Sequence, residues 1–242
     1  RQKYLELQGR LDLSEFEDIF NEMNEVEAVQ TVELPKEFIS LCNKRLPLHS
    51  QTPLEYLRSR HINHADILRW KIGYCKEGRY AGRIIIPSIN NNGDCNYFIA
   101  RSYVGHGRRY LNPRCGRDIV FNELLVDWDE PIVLVEGVFD AIVVGDNAIP
   151  ILGSTLREAS RLFQAIAIHD TPVYVALDGD AEKKAHWIIK SMMKYDLEVK
   201  KISIGEYEDI GSMSSETFQE KLKLAEEVDG DMYWLEKQLR SI

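Results

Sequence analysis

The residues of this chain best suited to chemistry are carboxylates that follow apolar runs. Ile132-Val133-Leu134-Val135 leads into Glu136-Gly137, with Asp140 four residues beyond the glutamate. Val173-Tyr174-Val175-Ala176-Leu177 leads into Asp178-Gly179-Asp180. A third acidic group, Glu206, Glu208 and Asp209, follows a later apolar run. Such runs read as strands of a parallel sheet buried on both faces, and open α/β sheets carry their sites at the carboxyl ends of strands. Carboxylates gathered on one rim repel each other and suit divalent cations, which in turn suit phosphate chemistry. One carboxylate alone is explained by helix capping, as with Asp180 before Ala181 or Asp140 in a first helical turn. Three strand ends favour a shared site, and a metal-dependent phosphatase, nuclease or polymerase all stay open. Gly153-Ser154-Thr155, ahead of another expected helix, offers amides to a phosphate or is simply a capped turn.

The elements that must position these groups alternate from Pro131 onward. Strands are expected at 131–136, 148–152, 172–177 and 197–204, with helices near 138–146, 156–168 and 181–195. That βαβαβαβ order implies a mostly parallel sheet covered by helices. Upstream the pattern differs. Residues 1–30 read as acidic helix, with Leu13, Phe16, Phe20 and Met23 at helical spacing and Ser14 as a cap. Pro35 opens a short helix to about Lys44, Thr52-Pro53 opens another, and Asn63 caps a third. Residues 83–89 and 95–104 read as strands joined by the turn signal Asn90-Asn91-Asn92-Gly93. Met232, Leu235 and Leu239 suggest a last amphipathic helix. The fold class is therefore α/β, α+β overall. We divide it into an acidic helical connector (1–50), a basic, mixed helical and β-rich subdomain (51–128), the parallel-sheet domain (129–212) and a C-terminal helical segment (213–242).

The 242 residues carry a net charge of −9, which argues against non-specific nucleic-acid binding by the whole surface. The distribution qualifies that. Residues 79–118 hold seven arginines, no lysine and only two acids, Asp94 and Asp118, whereas residues 1–34 hold nine acids against three bases. Lysine normally shares a merely solvated surface; arginine alone points to bidentate phosphate contacts. Cys42, Cys75, Cys95 and Cys115 lack metal-ligand spacing, so no zinc site is expected and reduced thiols of a cytoplasmic protein are. No apolar run approaches a membrane span, so no membrane association is expected.

Taken together, Val135-Glu136-Gly137-x-x-Asp140, Leu152-Gly153-Ser154-Thr155-Leu156 and Asp178-Gly179-Asp180 resemble the Toprim domain of DnaG-type primases, some topoisomerases and some nucleases. Tyr56-Leu57-x-x-Arg60-x-Ile62, Ile67-x-x-Trp70-x-Ile72-Gly73-Tyr74, Gly82-Arg83-Ile84-Ile85-Ile86-Pro87, Phe98-Ile99-Ala100-Arg101 and Arg109-Tyr110-Leu111-Asn112-Pro113 look like the primase catalytic core, closest in character to compact bacteriophage primases. The likeness runs in order over roughly residues 52–213. Two departures stand out. Ala181-Glu182-Lys183 follows the Asp-Gly-Asp where the family usually has Ala-Gly one residue on, and Gly211 stands where bacterial members carry a second acid.

The resemblance implies synthesis of short RNA primers on a single-stranded DNA template from ribonucleoside triphosphates, using two or more Mg²⁺ or Mn²⁺ ions. Glu136, Asp178 and Asp180 are then catalytic. The metal ligands are drawn from these three together with Asp209 and Asp140, and Glu136 either ligates a metal or takes the hydroxyl proton. Arg83, Arg101, Arg108, Arg109, Tyr110 and Asn112 would contact nucleotide and template, though Tyr110 equally suits packing under the sheet. A replicative helicase is the implied partner. The rival readings are a Toprim nuclease or topoisomerase module cutting phosphodiesters with the same acids, and a non-catalytic nucleic-acid-binding relative.

Overall fold

The computed structural model describes residues 30–227 other than 106, 154, 155, 179, 180, 206 and 208. The expected helices around Leu13–Met23 and Met232–Leu239, and the positions of Asp180, Glu206 and Glu208, lie outside the described residues.

Two sheets organise the chain. The first is antiparallel, in the order β1 (Phe38–Ser40), β2 (Gly73–Cys75), β3 (Arg83–Ile89), β4 (Cys95–Ser102). The second has the order β6-β5-β7-β8-β9, from β5 (Ile132–Val135), β6 (Ala148–Pro150), β7 (Val173–Val175), β8 (Val199–Lys201) and β9 (Glu226–Glu227). Its first four strands are parallel and β9 is an antiparallel edge. Helices α1 (Gln51–Ser59) and α2 (His64–Arg69) connect β1 to β2. Between the parallel strands run α3 (Val138–Val144), α4 (Arg161–His169) and α5 (Glu182–Met193), and α6 (Ser215–Lys223) precedes β9. The sequence-derived fold class stands, and no described helix is long and apolar enough to cross a membrane.

Period-2 alternation divides each sheet between two cores. On β3 and β4, Ile84, Ile86, Tyr97 and Ile99 face a central core, while Ile85, Phe98 and Ala100 face an outer one with Tyr80. On β5, Val133 and Val135 join that central core, and Ile132 and Leu134 face α4 and α5. The central layer is where α3 lies. All seven of its residues are buried, Asp140 included, because it packs between the two sheets rather than on an outer face.

Local signals set most boundaries. Asn63 caps α2 by accepting from the amides of Ala65 and Asp66, and Asp66 reaches back to the Asn63 amide. Two expectations fail. The helix expected from Pro35 to Lys44 contains instead the strand β1, whose Phe38, Ile39 and Ser40 pair with Cys75, Tyr74 and Gly73. The tertiary partner overrides the local signal. The helix expected from 156 begins only at Arg161, where the Ser160 hydroxyl accepts from Phe163 N–H and Asp118 accepts the Arg161 amide.

The β1–β2 seam has no room for a side chain at Gly73. A Cβ there would lie 2.3 Å from Phe38 Cε2 and 2.5 Å from the Ile39 carbonyl oxygen. Gly73→Ala is expected to pry β1 from β2 and to cost about 1–3 kcal/mol. Urea unfolding with an unchanged midpoint would contradict this.

Candidate active site between the two sheets

The carboxyl ends of the parallel strands open onto a cleft of about 1310 Å³. Glu136, Asp140, Asp178 and Asp209 all line it. So do six of the seven arginines of residues 79–118, namely Arg79, Arg101, Arg108, Arg109, Arg114 and Arg117, together with Tyr110 and Asn112. Acids from the parallel sheet thus share one space with arginines from the antiparallel unit.

Glu136 follows β5, and Gly137, in an extended conformation, caps α3. Asp140, at the third position of that helix, reaches back so that its Oδ2 accepts the Gly137 amide at 2.8 Å. Its Oδ1 accepts the Gly211 amide at 2.9 Å, 71 residues away in sequence. Gly211 lies in the single 3₁₀ turn Ile210–Ser212 that Asp209 precedes. Both Asp140 oxygens are therefore engaged by backbone, and this residue ties the Glu136 turn to the Asp209 turn. Burial pushes the Asp140 carboxyl up to about 6, with the neighbouring Asp209 charge adding; the two amides and the Arg60 guanidinium oppose the rise.

Gly211 is explained by the same contact. A Cβ there would sit 2.9 Å from Asp140 Oδ1 and 3.0 Å from Arg60 Nη2. Arg60, just beyond α1, also places its guanidinium 5.7 Å from the Phe139 ring centroid. Arg101 approaches the same ring at 5.4 Å. Phe139 is thus the point where α1, β4 and the Glu136 turn meet.

On the arginine wall, residues 109–112 run beside β4. The Ser102 amide donates to the Arg109 carbonyl, the Leu111 amide donates to the Ala100 carbonyl, and Asn112 Oδ1 accepts the Ala100 amide. Arg101 Nη1 donates to Tyr110 Oη at 2.6 Å and its guanidinium lies 5.0 Å from that ring, with Arg109 at 5.9 Å. Tyr110 is 42% exposed to the cleft, which removes the reading that packs it beneath the sheet. Arg83 departs from expectation. It is buried, does not line the cleft, and donates to the carbonyl oxygens of Ala100, Arg108 and Arg109. It holds the arginine segment in place from beneath. Leu152 and Gly153 line the cleft in left-handed conformations; Ser154 and Thr155 lie outside the described residues, and the next described helix begins only at Arg161.

Two residues not expected in the site belong here. Arg60, noted in the sequence only within a motif, is one. The other is Lys184 in the first turn of α5, whose Nζ donates to Glu136 Oε1 at 3.0 Å. The signal for Lys184 was present in the adjacent lysines 183 and 184, since cations are disfavoured at a helix N-terminus unless something else holds them.

Among the described residues no three His, Cys, Asp or Glu side chains converge into a ligand cluster, the four free cysteines included. The chemistry of the donor set nevertheless fits a hard divalent cation, because every acidic group lining the cleft is a carboxylate. Asp209 Oδ1 is buried with no hydrogen-bond partner among the described residues.

The burial of Asp140 gives a signed pH effect. The folded carboxyl sits near 6, above its ordinary 3.8. Its stabilising contribution is fully present below 3.8 and is lost as the pH rises through about 6. The stability advantage of the wild type over Asp140→Asn should therefore be larger at pH 4.5 than at pH 7. Urea midpoints at both pH values measure it, and a pH-independent gap would reject the assignment.

No family model matches the chain. A DNA primase of Legionella pneumophila is 24% identical over 188 residues, covering 60% of this chain and 33% of the relative. The chain thus spans about a third of that curated relative's length. Among solved structures, a DNA primase domain from Pseudomonas aeruginosa aligns with a TM-score of 0.63 at 18% identity, covering 81% of this chain and 78% of that one. The zinc-binding and RNA polymerase domains of Aquifex aeolicus primase align with a TM-score of 0.62 at 18% identity, covering 74% and 57%. A DnaG primase catalytic domain bound to single-stranded DNA aligns with a TM-score of 0.60 at 18% identity, covering 75% and 74%. The chain has the fold of the DnaG primase catalytic cores, and the resemblance read from its motifs agrees with its curated relative.

Proposed function

We propose that this chain is the RNA-polymerase core of a DNA primase, with a Toprim-like parallel-sheet domain, and that it makes short RNA primers on single-stranded DNA from ribonucleoside triphosphates. The observation that carries the reading is the cleft itself, with strand-end carboxylates and an arginine and tyrosine wall facing one space. Support for the template comes from the structural neighbour that holds single-stranded DNA. A replicative helicase is the partner this reading expects.

The reaction is attack of a 3′-hydroxyl on an α-phosphorus, with pyrophosphate leaving. Glu136, Asp178 and Asp180 would hold Mg²⁺ or Mn²⁺, with Asp209 as a further ligand, and the ion when bound supplies positive charge at the attacking and leaving oxygens. Arg108 and Arg109 are exposed on the cleft wall and suit bidentate contact with the triphosphate and template phosphates. Tyr110, gripped by Arg101 and approached by Arg109, presents a ring on which a base can stack. Asp140, Arg83 and Asn112 act on backbone and so position the groups that meet substrate. Nothing in the arrangement favours phosphodiester cleavage over synthesis, and the relatives described above are primases.

Incubation with single-stranded template, ribonucleotides and Mg²⁺ or Mn²⁺, with the cognate helicase added, should give short ribonucleotide products. Asp178→Ala and Glu136→Gln should each lower the yield on the order of a hundredfold or more. Product formation unaffected by Asp178→Ala would overturn the catalytic reading, and nicking of DNA without ribonucleotides would favour cleavage.

A further inference from the structure

We infer that Lys184 is a built-in counter-cation of Glu136, one that fixes this carboxylate and weakens its grip on a divalent ion. The inference rests on the proposed metal role of Glu136 and adds a residue to it. Lys184 Nζ meets Glu136 Oε1 at 3.0 Å, and both side chains are largely shielded, at 21% and 25% exposure. The topology brings them together. β5 and β7 are adjacent parallel strands, so the first turn of the helix after β7 lies beside the turn after β5.

The contact has features that a generic surface ion pair lacks. Lys183, its neighbour, is exposed, whereas Lys184 is turned inward. Its charge sits in the first turn of α5, where the helix dipole opposes a cation, so something other than helix formation holds it. Glu136 lines the cleft, and Lys184, which is not among the lining residues, holds its Oε1. One Glu136 oxygen is engaged by the lysine, and the other has no hydrogen-bond partner among the described residues. A cation bound at that second oxygen would feel the lysine's charge across a few ångströms, and that repulsion lowers its affinity.

Lys184 is on this account a positioning residue. It keeps a strand-end glutamate from standing uncompensated before the ion arrives, and it limits how tightly the ion is then held.

The test is Mn²⁺ binding to the full chain, followed by electron paramagnetic resonance at one fixed ionic strength, without nucleotide or template. Four variants are compared: Lys184→Met, Lys184→Arg, Glu136→Gln and the double variant Glu136→Gln with Lys184→Met. Lys184→Met should bind Mn²⁺ on the order of tenfold more tightly than wild type. Lys184→Arg, which keeps the charge, should match wild type. The gain should vanish in the Glu136→Gln background. If wild type binds Mn²⁺ and Glu136→Gln weakens it, yet Lys184→Met binds no more tightly than wild type, the counter-cation role is wrong and the metal site stands. If Mn²⁺ binding is the same in wild type and Glu136→Gln, the metal role of Glu136 itself is wrong.

Discussion

The buried carboxylate of Asp140 is the contact on which the site's geometry depends. It accepts the Gly137 amide through one oxygen and the Gly211 amide through the other. The first bond shapes the turn that presents Glu136, and the second draws in the turn that presents Asp209. An amide side chain could not do both, because its nitrogen would face a second N–H donor. Burial opposes keeping this group charged, which is why its carboxyl titrates near 6. The two amides and Arg60 supply the compensation.

That compensation also couples the two sheets. Arg60 comes from the end of α1 and Arg101 from β4, and both guanidinium groups lie over Phe139, the residue before Asp140. Tyr56 of α1 adds an edge contact to the same ring at 6.4 Å. α3 is apolar on every side apart from Asp140, so it can be wedged between the sheets while its first turn reads out charge at the cleft.

What was legible in the sequence was whatever is local. The alternation of strand and helix after Pro131, the Asn63 cap and the Asn90–Gly93 turn follow from neighbouring residues. The acids at strand ends were legible for a related reason: parallel connectivity forces consecutive strand ends to one rim. Contacts made across the chain were not legible. β1 is three residues long and defined by pairing with β2 some 35 residues on. The start of α4 is set partly by Asp118, 43 residues earlier. Arg83 and Arg101 look alike in sequence, yet Arg101 reaches Tyr110 in the cleft while Arg83 is spent on carbonyl oxygens beneath it. Arg60 shows in the sequence only within a motif and Lys184 only as a cation in a first helical turn; the partners of both are set by tertiary packing.

The glycine at 211, which in sequence looks like a missing acid, has a steric and an electrostatic reason in this chain. The volume a side chain would fill is bounded by Asp140 Oδ1 on one side and Arg60 Nη2 on the other, with Asp209 Oδ1 at 3.6 Å. A carboxylate there would add a third negative charge beside Asp140 and Asp209, and it would disturb the amide contact that holds the turn. The backbone N–H of Gly211 instead donates to the charge already present. At this position the site thus has an amide that stabilises a charge rather than a side chain that carries one, and beside it the buried Oδ1 of Asp209 has no hydrogen-bond partner among the described residues.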